Sequence, residues 1–114
     1  MALTHTFIAN TIEIDVDVVD RFGVPLDLTG CTFTFTASTL NGDFSIVKTE
    51  IDGIEIDSIV TGRLNVTIDP EDTDALTVPR NLLWDIVMTD TYDDVRTIAT
   101  GRIALSLPVA SLVP

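Results

Sequence analysis

The chain has 114 residues, with 18 acidic and six basic side chains and a formal net charge of −12. That length fits one domain that buries roughly two thirds of its unfolded surface, and a hydrophobic content of 46% excludes a disordered polyelectrolyte. Arg21, Lys48, Arg63, Arg80, Arg96 and Arg102 are scattered singly, which argues against nucleic-acid binding, and no apolar run approaches the ~20 residues of a membrane helix.

The first residues, "MALTHTFIAN", have neither a basic region nor a long apolar stretch, so no secretory signal is expected and residues 1–9 read as an N-terminal extension. From residue 10 the period is two. Ile12, Ile14, Val16 and Val18 face one way and Glu13, Asp15 and Asp17 the other, a core face against a wet face. Gly23 and Pro25 break this strand, and Leu26 and Leu28 form a short extended link that ends at Gly30. Cys31, Phe33, Phe35 and Ala37 then alternate with Thr32, Thr34 and Thr36, threonine being a β-former as well as polar.

Asn41-Gly42 is a hairpin signal, because both residue types tolerate positive φ, and the return strand covers about residues 44–50. A short strand carries Ile54 and Ile56, a turn falls at Thr61-Gly62, and Leu64, Val66 and Ile68 alternate after it. Residues 69–76, "DPEDTDAL", are the one helical candidate. Asp69 suits the cap, Pro70 the first position, and Glu71 and Asp72 the positive end of the helix. Leu82, Trp84, Ile86 and Met88 point inward on the next strand. Its outer side carries Leu83 and Val87, which predicts a strand that is central or partly covered on both sides. A turn at 91–94 precedes a last strand from about 95 to 107, with Gly101 as a bulge or bend.

About seven strands, frequent turns and one short helical turn near residues 70–76 predict an all-β, antiparallel immunoglobulin-like β-sandwich over residues 10–107, with a flattened barrel as the competing architecture. Phe7, Phe33, Phe35, Phe44 and Trp84 are the expected core aromatics. A lone Cys31 on an apolar face reads as a buried, inert thiol.

No constellation for catalysis emerges. His5 is the only histidine, and it lies near the terminus, so no catalytic residue is assigned. "DPEDTD" and "DTYDD" concentrate carboxylates but lack a calcium-loop spacing; Asp69, Glu71, Asp72, Asp90 and Asp93 read as caps and turn formers. No metal and no cofactor is expected. What stands out is residues 108–114, "PVASLVP", an uncharged apolar tail. Val109, Leu112 and Val113, with Leu3, Phe7 and Ile8 at the other end, are the candidate partner-binding residues. The tail folds back on its own sandwich or straps a neighbouring subunit.

"VVDRFGVPLDLTGCTFTFTAS", "GRLNVTIDPEDTDAL", "LLWDIVMTD" and "VRTIATGRIAL" follow one another in an order that resembles immunoglobulin-like virion modules of tailed phages, in particular the N-terminal domain of the phage upper-baseplate protein family. The resemblance spans about residues 10–107. It implies a non-enzymatic virion component that docks onto other virion proteins of baseplate, tail or capsid through edge strands and tails, as a homo-oligomer, with a trimer favoured. Two alternatives stand beside it. One is a capsid cement or decoration protein, trimeric around local threefold positions. The other is a glycan-binding module, for which Tyr92 is the obvious stacking residue.

Overall fold

The computed structural model describes residues 2–8, 10–59, 61–76 and 79–106. Eight strands form two sheets: β1 (Ala2–Phe7), β2 (Ile12–Asp17), β3 (Thr32–Ser38), β4 (Ser45–Thr49), β5 (Ile54–Ser58), β6 (Arg63–Ile68), β7 (Arg80–Thr89) and β8 (Val95–Ser106). The larger sheet runs β1-β8-β7-β3-β4 and the smaller β2-β6-β5. With β2, β6 and β5 opposed to β8, β7, β3 and β4, the connectivity is that of an immunoglobulin-like sandwich. Neither β2 nor β7 carries a cysteine, so the inter-sheet disulfide of antibody domains has no counterpart here.

The alternating patterns place the core. Phe33, Phe35, Leu82, Ile86, Ile103 and Leu105 from the larger sheet meet Ile12, Ile14, Leu64, Val66 and Ile68 from the smaller, all of them buried. Trp84 packs its ring 5.6 Å from that of Phe35. As its two apolar faces foretell, β7 is central, flanked by β8 and β3. The helical turn is shorter than the sequence suggests: α1 is Pro70–Thr73, with the Asp69 N–H donating to Asp72 Oδ2 at 2.8 Å.

Several expectations need correction. Residues 2–7 are not an extension outside the sandwich but a strand of it, because β1 pairs in parallel with the second half of β8, from Ala2 opposite Gly101 to Phe7 opposite Ser106. Among the described residues the sandwich therefore has eight strands, with β1 a parallel edge. Phe7 is 44% exposed and does not belong to the core, Phe44 only packs against it from the rim, and Cys31 is half-buried. Burial pushes the Cys31 thiol up, with Asp90 and Asp27 adding to the effect, so its thiolate is disfavoured. The bulge in β8 is at Ile98, not Gly101: Ile86 faces Ala99 and Val87 faces Thr97, which leaves Ile98 over. The Asn41-Gly42 hairpin exists, but only Gly42 has positive φ, and its loop spans 39–44 because Thr39 holds the turn through Asn41 and Asp43.

The edge strand β4 turns a charge inward. Lys48 is 3% exposed and its Nζ lies 2.8 Å from Asp72 and 3.6 Å from Asp52, tying the sheet edge to the helical turn. An inward charge of this kind also discourages edge-to-edge pairing. Burial works to lower the Lys48 pKa, but the carboxylates of Asp72, Asp52 and Asp69 outweigh it and hold it above the ordinary value. A lysine raised in the folded state stabilises fully below its unfolded pKa, about 10.4, and loses that contribution as pH rises through the folded value. Denaturant titrations should therefore show wild-type stability falling above about pH 10.4 by more than that of Lys48→Met. At neutral pH the substitution should cost about 1–3 kcal/mol, discounted because Asp72 is partly exposed. Equal alkaline slopes in the two proteins would refute the linkage.

Candidate docking groove at one end of the sandwich

The link between β2 and β3 leaves the smaller sheet at Val18 and loops out before it crosses to the larger one. Asp20 holds the loop closed, its Oδ1 accepting the N–H of Phe22 at 2.8 Å and of Val24 at 3.0 Å. Val19 bridges to Pro25, and the N–H of Leu26 returns to the Val18 carbonyl at 3.0 Å. "PLDLTG" is thus a pinned corner: Leu28 donates to the Ile59 carbonyl at 2.9 Å and is itself 1% exposed, while Asp27 accepts from the Thr29 N–H and hydroxyl. The Thr29 hydroxyl and backbone bonds hold the Asp27 carboxyl below the usual range.

This loop leans towards the first half of β8. Between them lies a groove of about 540 Å³. Leu26, Met88 and Ile98, apolar and buried or half-buried, form the base, and Val19 and Phe22, 45% and 75% exposed, form one wall. Arg21 and Arg96 stand at the rim. Arg21 lies 4.8 Å from the centre of the Phe22 ring, and Arg96 reaches Asp94 only at 3.7 Å, an exposed pair worth little. Arg96 is opposite Met88 in the ladder, so it faces the inner side of the sheet, with its charge at the mouth.

The backbone beside the groove is open as well. β1 covers only 101–106 of β8, and among the described residues no strand pairs with the outer edge of 95–100. Among the described residues, three of the four other edges are defended, the fourth being the outer edge of β1. β2 presents Glu13, Asp15 and Asp17, β5 presents Glu55 and Asp57, and β4 has Lys48 turned in. A free strand edge next to an apolar groove can accept an extended segment, with main-chain bonds giving affinity and the groove taking alternate side chains.

The candidate residues read from the sequence do not converge here. Phe7 pairs with Ser106, at the far end of β8 from the groove. Leu3 is opposite Arg102, and Ile8, 4% exposed, belongs to the core of its own domain and has no surface to offer a partner. Val109, Leu112 and Val113, with the tail 108–114, lie outside the described residues. The groove itself escaped the sequence reading, although an exposed Phe22 inside the polar turn "DRFGVP" was a signal.

The acidic turns do the work of turns. Asp90 Oδ1 accepts the N–H of Tyr92 at 2.8 Å and of Asp94 at 3.0 Å, and Asp72 serves α1 and Lys48. Among the described residues, no group of three or more histidine, cysteine or acidic side chains converges to hold a metal ion. Tyr92 is 87% exposed at the tip of the β7–β8 turn.

No protein-family profile matches the chain, and no curated protein matches it. Among solved structures it is similar to murine CRIg, with 11% identity over 95% of this chain and 93% of that one and a TM-score of 0.45. It is also similar to AggA, the major subunit of aggregative adherence fimbriae type I from Escherichia coli, with 10% identity over 95% and 91% and a TM-score of 0.34. Neither overlap is close enough to say anything of what this chain binds.

Proposed function

We propose that the chain is a non-enzymatic structural module of a tailed-phage virion, which docks onto neighbouring virion subunits and carries no cofactor. The observation that carries the docking reading is the unpaired edge of β8 at 95–100 running beside the apolar groove under Phe22. The virion context rests on the resemblance of the four sequence segments. In this reading β8 receives a strand from another subunit, and the acidic outer face of the smaller sheet keeps the module soluble until it docks.

Mass spectrometry and cross-linking of purified virions from the source of the chain test it. The expected result is the chain present in fixed copy number, cross-linked to another virion protein through the region around Phe22 and Arg96. Phe22→Asp, at a site 75% exposed, should change stability by no more than about 0.5 kcal/mol and yet lower incorporation about tenfold or more. Absence of the chain from the particles overturns the virion reading; unchanged incorporation of Phe22→Asp overturns the groove. Copy number separates the two placements, since a trimeric capsid cement follows the many local threefold positions and a baseplate component the few copies of one ring.

A further inference from the structure

The two outer faces of the sandwich carry very different charge. On the smaller sheet, Glu13, Asp15, Asp17, Glu55 and Asp57 stand against the single Arg63. That face is tied into a wet, hydrogen-bonded ladder, with Arg63 Nε on Asp17 at 3.1 Å and Asn65 Nδ2 on Asp15 at 2.8 Å. The outer face of the larger sheet is built differently. Thr34 and Thr36 from β3, Val47 from β4, and Leu83 and Val87 from β7 form a threonine and aliphatic surface, with Val47 54% and Leu83 37% exposed.

Within β3, β4, β7 and β8 this face holds one acid and one base, Asp85 and Arg102. Asp85 is opposite Thr100 and Arg102 opposite Leu83, so the two are diagonal neighbours on adjacent strands, about 7–8 Å apart. Among the described residues neither makes an ion pair. A surface with one charge of each sign, unpaired within the chain, is complementary to itself. A twofold axis lying in the plane of contact and bisecting the line from Asp85 to Arg102 sets each acid over the base of the other copy.

We propose that this face is a self-association surface, on which two copies pack their larger sheets face to face with Asp85 of each against Arg102 of the other. Two chains of net charge −12 repel, and the arrangement answers that repulsion. With sheets spaced about 10 Å, it places the two acidic faces about 30 Å apart, far beyond a Debye length of about 8 Å. Four strands, of which β3 has seven residues and β7 ten, give a face of roughly 20 Å by 30 Å, most of the ~800 Å² that a partner buries in a stable complex. The association goes beyond the docking groove and does not depend on it, since the groove opens beside the β8 edge and leaves this face free.

Sedimentation of the full chain from about 1 μM to about 500 μM tests it, a range that brackets weak dimers. The expected result is a reversible monomer–dimer equilibrium. Asp85→Arg, which sets like charges opposite each other, should weaken it about tenfold or more, and the double variant Asp85→Arg with Arg102→Asp should restore it. Glu55→Arg on the acidic face should leave the dimer intact. Circular dichroism guards against unfolding, and a second variant, Val47→Asp, probes the same face at an exposed site. A chain that stays monomeric throughout, forms a trimer, or keeps its dimer in Asp85→Arg and Val47→Asp overturns the proposal, as does failure of the double variant to recover.

Discussion

Gly62→Ala should cost about 3 kcal/mol or more, a large part of the stability of a domain this size. Gly62 has φ +70°, where an L side chain is strained by roughly 1–2 kcal/mol. A Cβ there would also sit 2.6 Å from the Val18 carbonyl oxygen and 2.9 Å from that of Leu26. These are backbone atoms of the pinned corner, and the Gly62 carbonyl itself takes the Val18 N–H at 2.7 Å, so none of them can move away cheaply. The control is Gly42→Ala. Gly42 has φ +75° but nothing within 4 Å, so it should lose only the conformational share, about 1–2 kcal/mol. Urea denaturation of both variants checks this; equal losses would mean that the close approach at Gly62 carries no energy.

Gly101→Ala is the second large effect, and its cause is purely steric, because Gly101 does not have positive φ. An added Cβ would meet the Trp84 ring at 2.4 Å, on the buried side of the β7–β8 ladder, where the two residues are directly opposite. Trp84 is 5% exposed and packs against Phe35, so its ring cannot move aside without displacing its neighbours. The expected loss is about 2–3 kcal/mol by overpacking. Trp84→Leu alone should cost about 3 kcal/mol through the void it leaves. The double variant should lose at least 1 kcal/mol less than the two losses added, because the methyl fills part of that void. Additive losses in thermal or urea melts would place the Trp84 ring elsewhere.

Much of this could be read along the chain. Alternation in "IEIDVD", "TFTFTA" and "RLNVTI" separated core from surface correctly, because in a strand the side-chain period is two and a one-residue slip would bury the carboxylates of β2. Caps and turns were legible for a similar reason: the carboxylates of Asp72 and Asp90 accept backbone N–H groups within a few residues, so local sequence contains both partners. The Ile98 bulge was missed and Gly101 misread, because a glycine in a strand marks either a kink or a neighbour that comes too close. Only the ring of Trp84, far off in sequence, decides which. β1 escaped for the same reason. A parallel edge strand leaves its signature in register with β8, about a hundred residues away, and not in its own pattern.

By itself, then, the sequence determined the all-β class, the inward faces, the central place of β7 and the turn chemistry, each set by contacts between near neighbours or by burial of one face. Tertiary structure alone decided which edge of β8 is left unpaired, that Phe22 and Arg96 share a groove, and that the threonine face holds one acid beside one base. Those are meetings of segments distant in the chain. Pairing and packing of whole strands create them, and no local preference encodes which strands will lie side by side.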